Sequence, residues 1–104
     1  MTVTESIREF TNSPKTQGED EIRAYKVDTD PWGGYDSDAA VVLKDSDGED
    51  VSVTNLTGAP SEAGGVITTP LVHSLTAEEN YRIEVFWVYD GNTQEAFGFL
   101  MAEV

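Results

Sequence analysis

The sequence predicts an all-β fold: a single antiparallel two-layer β-sandwich of about seven strands at residues 21–104, preceded by an extended N-terminal arm at residues 1–20. Three observations predict it. Short segments alternate between apolar and polar residues with the period of a β-strand. Turn-forming residues recur roughly every 8 to 12 residues, and no segment carries a convincing helical periodicity.

The longest alternating segment lies near the C-terminal end. Its odd-numbered residues are aromatic or β-branched and share one face of the predicted strand: Tyr81, Ile83, Val85, Trp87 and Tyr89. Asp90-Gly91 follows at once and supplies the positive φ angles of a tight turn. The chain then resumes at residues 94–104, with Phe97, Phe99 and Met101 on one face. The pattern predicts a hairpin.

A second hairpin is predicted from strands at residues 39–45 and 50–54, which flank a turn containing Gly48. The turn region holds Asp45, Asp47 and Asp50, and calcium prefers clustered carboxylates. The spacing does not match an EF-hand loop, because two positions that would have to be acidic are Leu43 and Thr54. We expect a polar turn and no metal, with weak calcium binding at these three aspartates as the alternative.

Two shorter strands are predicted at residues 21–28 and 66–69. Pro70 marks an edge or a bulge, since proline cannot donate to a ladder. The loop at residues 29–38 is rich in turn formers and contains Trp32. This tryptophan either folds back as a lid over one end of the sandwich or serves as an exposed anchor for a partner, because Trp is enriched among binding hot spots.

Leu75, a polar turn and Tyr81 form a recognisable sequence of features before the longest strand. They resemble the tyrosine corner of immunoglobulin-like and fibronectin type III sandwiches, in which the tyrosine hydroxyl bonds to backbone a few residues upstream. The alternative is that Tyr81 is simply the first core aromatic of its strand. Neither interpretation makes Tyr81 catalytic.

The composition limits the possible classes of protein. The length of 104 residues fits one domain. The chain has no apolar run of about 18 residues and no basic-then-apolar N-terminus, so we expect neither a membrane span nor a signal peptide. It has no cysteine, which excludes disulfides, thiol catalysis and a thiolate metal site.

The charge is strongly acidic, with 20 acidic and 6 basic residues and a formal net charge of −14. Binding to phosphate backbones needs clustered Lys and Arg, so we expect no nucleic-acid partner. The acidity suits either a salt-rich setting or a surface matched to a basic partner or to multivalent cations. Self-repulsion is expected to destabilise the fold at low salt.

The N-terminal arm is mostly polar. Val3, Ile7 and Phe10 have helical spacing, but the Thr, Ser and Asn residues around them disfavour a helix, and Pro14 and Gly18 interrupt any element. The segment is either a frayed terminus or an arm that docks on a neighbouring subunit. In the second case Val3, Ile7 and Phe10 are the candidate partner contacts.

The motifs of an enzyme are missing from the sequence. There is no Gly-rich phosphate loop opening a helix and no His/Cys ligand set, and we expect the lone His73 to be an ordinary strand residue. Pairs of carboxylates are uninformative in a chain with 20 acids. We therefore expect no catalytic residues and no cofactor.

Residues 65–85, followed by residues 91–95, resemble a class of small tailed-bacteriophage proteins that are encoded among virion structural genes. The segment 25–28 with Trp32 and Gly33 is similar to the first strand and loop of those proteins. The resemblance covers residues 22 to 104 and leaves out the arm. The sequence departs from the pattern at Glu79-Asn80, where the relatives usually carry a glycine.

The resemblance implies a non-enzymatic virion structural protein: a capsid decoration protein, a neck or connector piece, or a tail component. Such a protein would be present in many copies in the virion after expression in the host cytoplasm. Its partners would be other virion subunits and further copies of itself, with no nucleic acid and no membrane. The alternative is a fibronectin-like surface binding module that recognises protein or carbohydrate through loops, such as those at residues 29–38 and 55–65.

Overall fold

A computed structural model describes residues 15–104 and shows an all-β protein. Two short helical segments interrupt the strands, a 3₁₀ turn at Asp30–Trp32 and helix α1 at Ser52–Asn55. The strands in this part of the chain are β1 (Lys15–Gly18), β2 (Lys26–Asp28), β3 (Ser37–Lys44), β4 (Leu56–Thr57), β5 (Ser61–Ala63), β6 (Val66–Thr68), β7 (Leu71–Val72), β8 (Asn80–Tyr89) and β9 (Asn92–Glu103).

The first layer is a four-stranded sheet in the order β1-β9-β8-β3. Strands β3, β8 and β9 are antiparallel, and β1 runs parallel to β9. The predicted C-terminal hairpin is confirmed: Tyr89 pairs with Asn92, and the turn residues Asp90 and Gly91 have φ angles of 52° and 75°. Positive φ at both central positions matches the right-handed twist of the strands.

The second layer consists of β2-β6-β5 and the short pair β4-β7. Thr69 and Pro70 separate β6 from β7, because proline has no N–H for the ladder. Thr69 compensates at the break, since its N–H donates to Tyr25 O and its Oγ1 accepts from Tyr25 N, at 2.8 and 2.9 Å. When β4–β5 and β6–β7 are each counted as one interrupted strand, the described chain has seven strands, of which β1 precedes the residues 21–104 predicted to form the sandwich.

The core lies between the two layers in two adjoining clusters. One contains Leu43, Tyr81 and Leu100 of the first sheet against Val72 and Leu75. The other packs Val85, Trp87 and Ala96 against Val27 and Ile67 of the second layer, and all five are fully buried. The all-β two-layer prediction is therefore confirmed.

The predicted strand at residues 50–54 is wrong, because only Asp50 makes a bridge, with Lys44. The chain then turns into α1, where Ser52 replaces the strand partner: its Oγ accepts from Leu43 N at 2.9 Å. Asn55 anchors the end of α1 by donating to the carbonyls of His73 and Ser74. Side-chain hydrogen bonds of this kind compete with the ladder and end it early.

Residues 15–18, which the sequence analysis placed in the arm, form strand β1 of the first sheet instead. Gln17 explains the attachment. It is fully buried, its Nε2 donates to Glu21 O and Val72 O, and its Oε1 accepts from the Tyr25 hydroxyl at 2.7 Å. A buried amide with these partners satisfied ties β1 to the second layer.

Candidate protein-contact surface

The face of the first sheet that points away from the core carries an apolar surface, which we call the outer face. Its positions follow from the register, since their neighbours along each strand belong to the core. The outer face comprises Ala40, Val42, Lys44, Arg82, Glu84, Phe86, Val88, Glu95, Phe97, Phe99 and Met101.

Three aromatic and apolar side chains of β9 dominate the outer face. Phe99 is 37% exposed and Met101 is 45% exposed, although both are large apolar residues. The rings of Phe97 and Phe99 meet edge to face with centroids 5.5 Å apart. Such pairs add stability beyond the area that they bury.

Arg82 joins the aromatic residues to an ion-pair network. Its guanidinium lies 4.1 Å from the Phe97 ring centroid, within cation–π range. Its Nε is 2.9 Å from Glu84 Oε2, and Lys44 Nζ is 3.3 Å from Glu84 Oε1. Glu84 is 7% exposed, and its two cationic neighbours compensate for its burial.

The outer face differs electrically from the chain as a whole. Arg82 and Lys44 are matched there by Glu84 and Glu95, with Arg82 Nη2 3.7 Å from Glu95 Oε2. The face is therefore close to neutral on a protein with a net charge of −14. A contiguous apolar surface bordered by polar groups is typical of a contact site for another protein.

An open groove of about 370 Å³ borders the outer face beside the turn at residues 45–48. Its lining includes Lys44, Arg82 and Phe99 of the outer face, together with Ser46 and Asn80. The turn is held in place because Ser46 Oγ donates to Glu79 Oε1 at 2.9 Å. The groove extends the contact surface toward one end of the sandwich.

Tyr81 and Leu75 lie together at that end, and each is 4% exposed. The Tyr81 hydroxyl accepts a hydrogen bond from Thr76 N at 2.9 Å. This bond to backbone a few residues upstream is the one that defines a tyrosine corner. Glu78, with a φ of 69°, takes the left-handed conformation in the turn between them that a glycine would adopt more easily.

Trp32 occupies the opposite end of the core and is half-buried. Its ring lies 5.8 Å from that of Trp87 at an interplanar angle of 79°, and Trp87 Nε1 donates to Gly34 O. A Cβ on Gly33 would come within 2.5 Å of Tyr89, and the φ of 105° there also requires glycine. This packing is the arrangement expected of a lid, while contact of Trp32 with a partner stays a prediction.

The acidic turn uses its carboxylates for local hydrogen bonds. Asp45 Oδ1 accepts from the N–H groups of Asp47 and Glu49, and Asp50 Oδ1 accepts from Ser52 N. Hydrogen bonds from the side chain and backbone of Ser52 hold the pKa of Asp50 below its ordinary value. Within residues 15–104, no group of three or more His, Cys, Asp or Glu is placed to hold a metal ion.

His73 has closer hydroxyl neighbours than the sequence analysis recognised. Its Nε2 lies 2.7 Å from Thr57 Oγ1 and its Nδ1 lies 2.8 Å from Ser74 Oγ. No carboxylate is among these partners, so the group lacks the acid that orients histidine in a nucleophilic triad.

The part of the chain from Lys15 onward contains no helix that is long and apolar enough to span a membrane.

The predicted contact residues Val3, Ile7 and Phe10 lie outside the described residues. The sequence did not reveal the role of Arg82, Glu84 and the phenylalanines of β9 as an outward surface. The signal was present in part, because Phe97, Phe99 and Met101 share one face. Periodicity shows that residues share a face but not whether that face is the core.

No family model matches the chain, and no curated protein matches it. Among solved structures it is similar to titin domain M7, with a TM-score of 0.54 and 14% identity over 88% of this chain and 87% of that one. Nothing in these comparisons links the chain to bacteriophage virion proteins. At this identity the similarity establishes the architecture, and the chain therefore has an immunoglobulin-like β-sandwich fold.

Proposed function

We propose that this protein is a non-enzymatic interaction module that works as a multi-copy structural component of the virion of a tailed phage or related virus. Its place would be capsid decoration, the neck or connector, or the tail. The observation that carries the interaction role is the outer face, where Phe99 and Met101 remain exposed on a rigid sheet. The virion setting is supported by the sequence resemblance at residues 22–104.

Charge complementarity defines the partner, which we take to be a neighbouring virion subunit. The outer face is near-neutral, because its ion pairs are balanced beside the exposed Phe99 and Met101, whereas the chain as a whole carries −14. A partner that fits has an apolar centre surrounded by Lys and Arg. Opposite charges around an apolar contact speed association and fix orientation more than they add affinity.

The size of the surface explains why many copies would be needed. The whole sheet that carries the outer face has four strands about 4.8 Å apart, with about 3.3 Å per residue over roughly eight residues, and therefore measures about 15 by 26 Å. This is roughly half of the area that one partner buries in an interface of standard size. Single contacts would be weak, and repetition over a lattice would supply the avidity.

A fibronectin-like surface module that recognises protein or carbohydrate through loops suits the same fold. The two functions differ in which surface is used. The ring of Trp32 is packed against Trp87, so the loop at residues 29–38 does not present it as a freely exposed anchor. This packing favours the outer face over the loops.

Incorporation of variants into particles tests the proposal. Phe99→Asp places a charge among the exposed apolar side chains of the outer face, and Val53→Asp places one at a 99% exposed position on α1, outside that face. We expect quantitative mass spectrometry of purified virions to show multiple copies of the wild type and of the Val53→Asp variant, with Phe99→Asp reduced at least tenfold.

Both variants should show the same thermal unfolding as the wild type within a few degrees, since both positions are at the surface. Absence of the wild-type protein from particles would overturn the virion role. Equal incorporation of Phe99→Asp and Val53→Asp would overturn the role of the outer face. Loss of binding only when residues 55–65 or the Trp32 loop are altered would favour the surface module.

A further inference from the structure

The second layer also has a side that points away from the core. Tyr25 packs against the core and Val27 is fully buried, so the residues that alternate with them along the chain point outward. Ile67 and Val72 are buried as well, and their neighbours extend the same surface across β5, β6 and β7. This surface, which we call the second face, comprises Ile22, Ala24, Lys26, Asp28, Ser61, Ala63, Val66, Thr68 and Leu71.

Two large apolar residues of the second face are exposed. Ile22 is 65% exposed and Leu71 is 44% exposed. The antiparallel bridge between Arg23 and Val72 places Ala24 level with Leu71. Other side chains of the face are smaller: Ser61, Ala63, Val66 and Thr68. The second face therefore has an apolar part beside an area of low relief.

The second face is nearly neutral. Lys26 and Asp28 are its two charged residues, and they have opposite signs. Most acidic residues of the described chain lie instead in the connections between strands, as in the turn at residues 45–50, which holds four of them. Copies that each carry −14 repel one another when such connections meet. The outer face and the second face are surfaces on which two copies can meet with little repulsion.

The two faces also differ in relief. The outer face carries the large side chains of Phe97, Phe99 and Met101 on β9. The second face carries mostly small side chains near Leu71. Large side chains fill space well against small ones, whereas two outer faces would set rings against rings. The shapes therefore favour packing of an outer face on a second face.

Cations accompany the apolar part of the second face. Lys26 lies on the face next to Ala24, and the exposed Arg23 precedes Ala24 in the chain. The Arg23 guanidinium is 5.8 Å from the Tyr25 ring centroid. An apolar centre accompanied by Lys and Arg is the chemistry that the proposed function requires of a partner for the outer face.

We infer that the outer face of one copy packs on the second face of another copy. The two faces lie on opposite sides of the sandwich, so the contact is head to tail and leaves a free face at each end for further copies. Because packed sheets are about 10 Å apart, each two-layer copy adds about 20 Å to the stack. The contact is small, and we expect a dissociation constant of about 0.1–1 mM for one pair. The inference rests on the proposed function for the use of the outer face, and it adds the identity of the partner.

Two matched variants test the contact in solution. Phe99→Asp damages the outer face and keeps the second face, whereas Leu71→Asp damages the second face and keeps the outer face. In sedimentation velocity at about 1 mM, we expect the wild type to form dimers and larger species and each variant alone to stay monomeric. An equimolar mixture should contain at least tenfold more dimer than either variant alone and no larger species. The reason is that the mixture retains one intact face of each kind.

Val53→Asp is the control, because its position is 99% exposed and lies outside both faces, and it should associate as the wild type does. Ile22→Asp takes the place of Leu71→Asp if the latter loses native-like circular dichroism. A monomeric wild type at about 1 mM, or a mixture with no more dimer than the separate variants, would overturn the inference. Dimers of Leu71→Asp that match the wild type in amount would assign the outer face to a two-fold contact with another outer face, and would also overturn it.

Incorporation into particles separates this inference from the proposed function. We expect Leu71→Asp, like Phe99→Asp, to be reduced at least tenfold in purified virions. Full incorporation of Leu71→Asp together with loss of Phe99→Asp would leave the role of the outer face intact and give its partner to a different virion protein. That result would overturn the inference alone. Full incorporation of Phe99→Asp would instead overturn the proposed role of the outer face, and the mixture in solution would then decide the contact between copies.

Discussion

The two faces of the β8–β9 hairpin contain comparable numbers of large apolar residues but have different roles. On the inner face, β8 supplies the bulky Ile83, Val85 and Trp87, and β9 supplies small residues across from them: Gly98 faces Ile83 and Ala96 faces Val85. On the outer face β9 supplies Phe97, Phe99 and Met101, and Phe97 and Phe99 lie across from the charged Glu84 and Arg82 of β8, which adds Phe86 and Val88 farther along.

The difference shows that hydrophobicity alone does not select the buried face. The second layer lies over the inner face, so small β9 residues there leave room for the Trp87 ring and the side chains packed on it. The outer face has no layer above it among the described residues, where the rings of Phe97 and Phe99 pack on each other and Arg82 lies over Phe97. A mutation should therefore have effects that depend on the face.

The largest expected difference between the faces concerns two aromatic residues. Trp87→Ala should lower the free energy of unfolding by about 3–5 kcal/mol, because it opens a cavity in the core and removes the bond to Gly34 O. Phe99→Ala should lower it by at most about 1 kcal/mol, since the ring is already 37% exposed. Urea unfolding followed by circular dichroism measures both changes.

Equal losses of stability in these two variants would contradict the assignment of the faces. Phe97→Leu is a useful intermediate case, because it keeps apolar area on the outer face while removing the ring under Arg82. The loss of unfolding free energy in Phe97→Leu should be smaller than the sum of two terms. These are the loss in Phe99→Ala and the roughly 0.5–1 kcal/mol of an exposed cation–π contact.

At the end of the inner face, Tyr81→Phe should lower the free energy of unfolding by about 1–2 kcal/mol. The substitution keeps the ring and leaves Thr76 N without its acceptor. Urea titration of this variant, with Tyr35→Phe as a control at a half-buried position where no hydroxyl hydrogen bond is described, measures the effect of the corner. Identical losses in the two variants would show that the Tyr81 hydroxyl adds nothing.

Salt should affect the acidic surface more than the neutral outer face. The melting temperature is expected to rise by several degrees between low and molar NaCl, because screening relieves the repulsion of a net charge of −14. The ion pairs of Glu84 oppose this trend only weakly, since Glu84 is largely shielded from solvent. A flat or falling curve in differential scanning calorimetry would contradict the expectation.

The smallest expected effect lies at the junction of β1 with the second layer. Partial burial raises the pKa of Tyr25 above its ordinary value of 10.0, with Arg23 opposing the shift and Glu21 adding to it. The folded state thus holds the phenolic proton more tightly than the unfolded chain, so this stabilisation is present below pH 10 and is lost as the pH rises through the folded pKa.

Tyr25→Phe should therefore have a shallower loss of stability above pH 10 than the wild type, as measured by unfolding at a series of pH values. Below pH 9 the variant should be slightly less stable, because it lacks the hydrogen bond to Gln17 Oε1. Parallel curves above pH 10 would mean that Tyr25 does not contribute to the alkaline transition.

Much of the fold could be predicted because the relevant signals are local. The alternation at residues 81–89 and the Asp90-Gly91 turn determine the β8–β9 hairpin without reference to the rest of the chain. Local sequence signals did not predict that strand pairing ends after Asp50. It depends on Ser52 reaching the backbone of Leu43, a contact that spacing along the sequence does not encode.

The candidate contact surface was predictable only in part. Phe97, Phe99 and Met101 share a face by the period of a strand, and the sequence shows this much. That they point outward is decided by the second layer, which covers the opposite side of the sheet. The burial of Gln17 could not be predicted from the sequence for a similar reason. Its polar side chain can be buried only because Glu21, Val72 and Tyr25 supply hydrogen-bond partners for its amide.

The sequence by itself determined that this chain forms β-strands joined by tight turns, since those preferences reside in neighbouring residues. The tertiary structure alone decided which face of each strand is buried, where β1 attaches and which aromatic residues stay at the surface. The physical reason is that burial depends on which layer lies opposite, and that is a property of residues far apart along the chain.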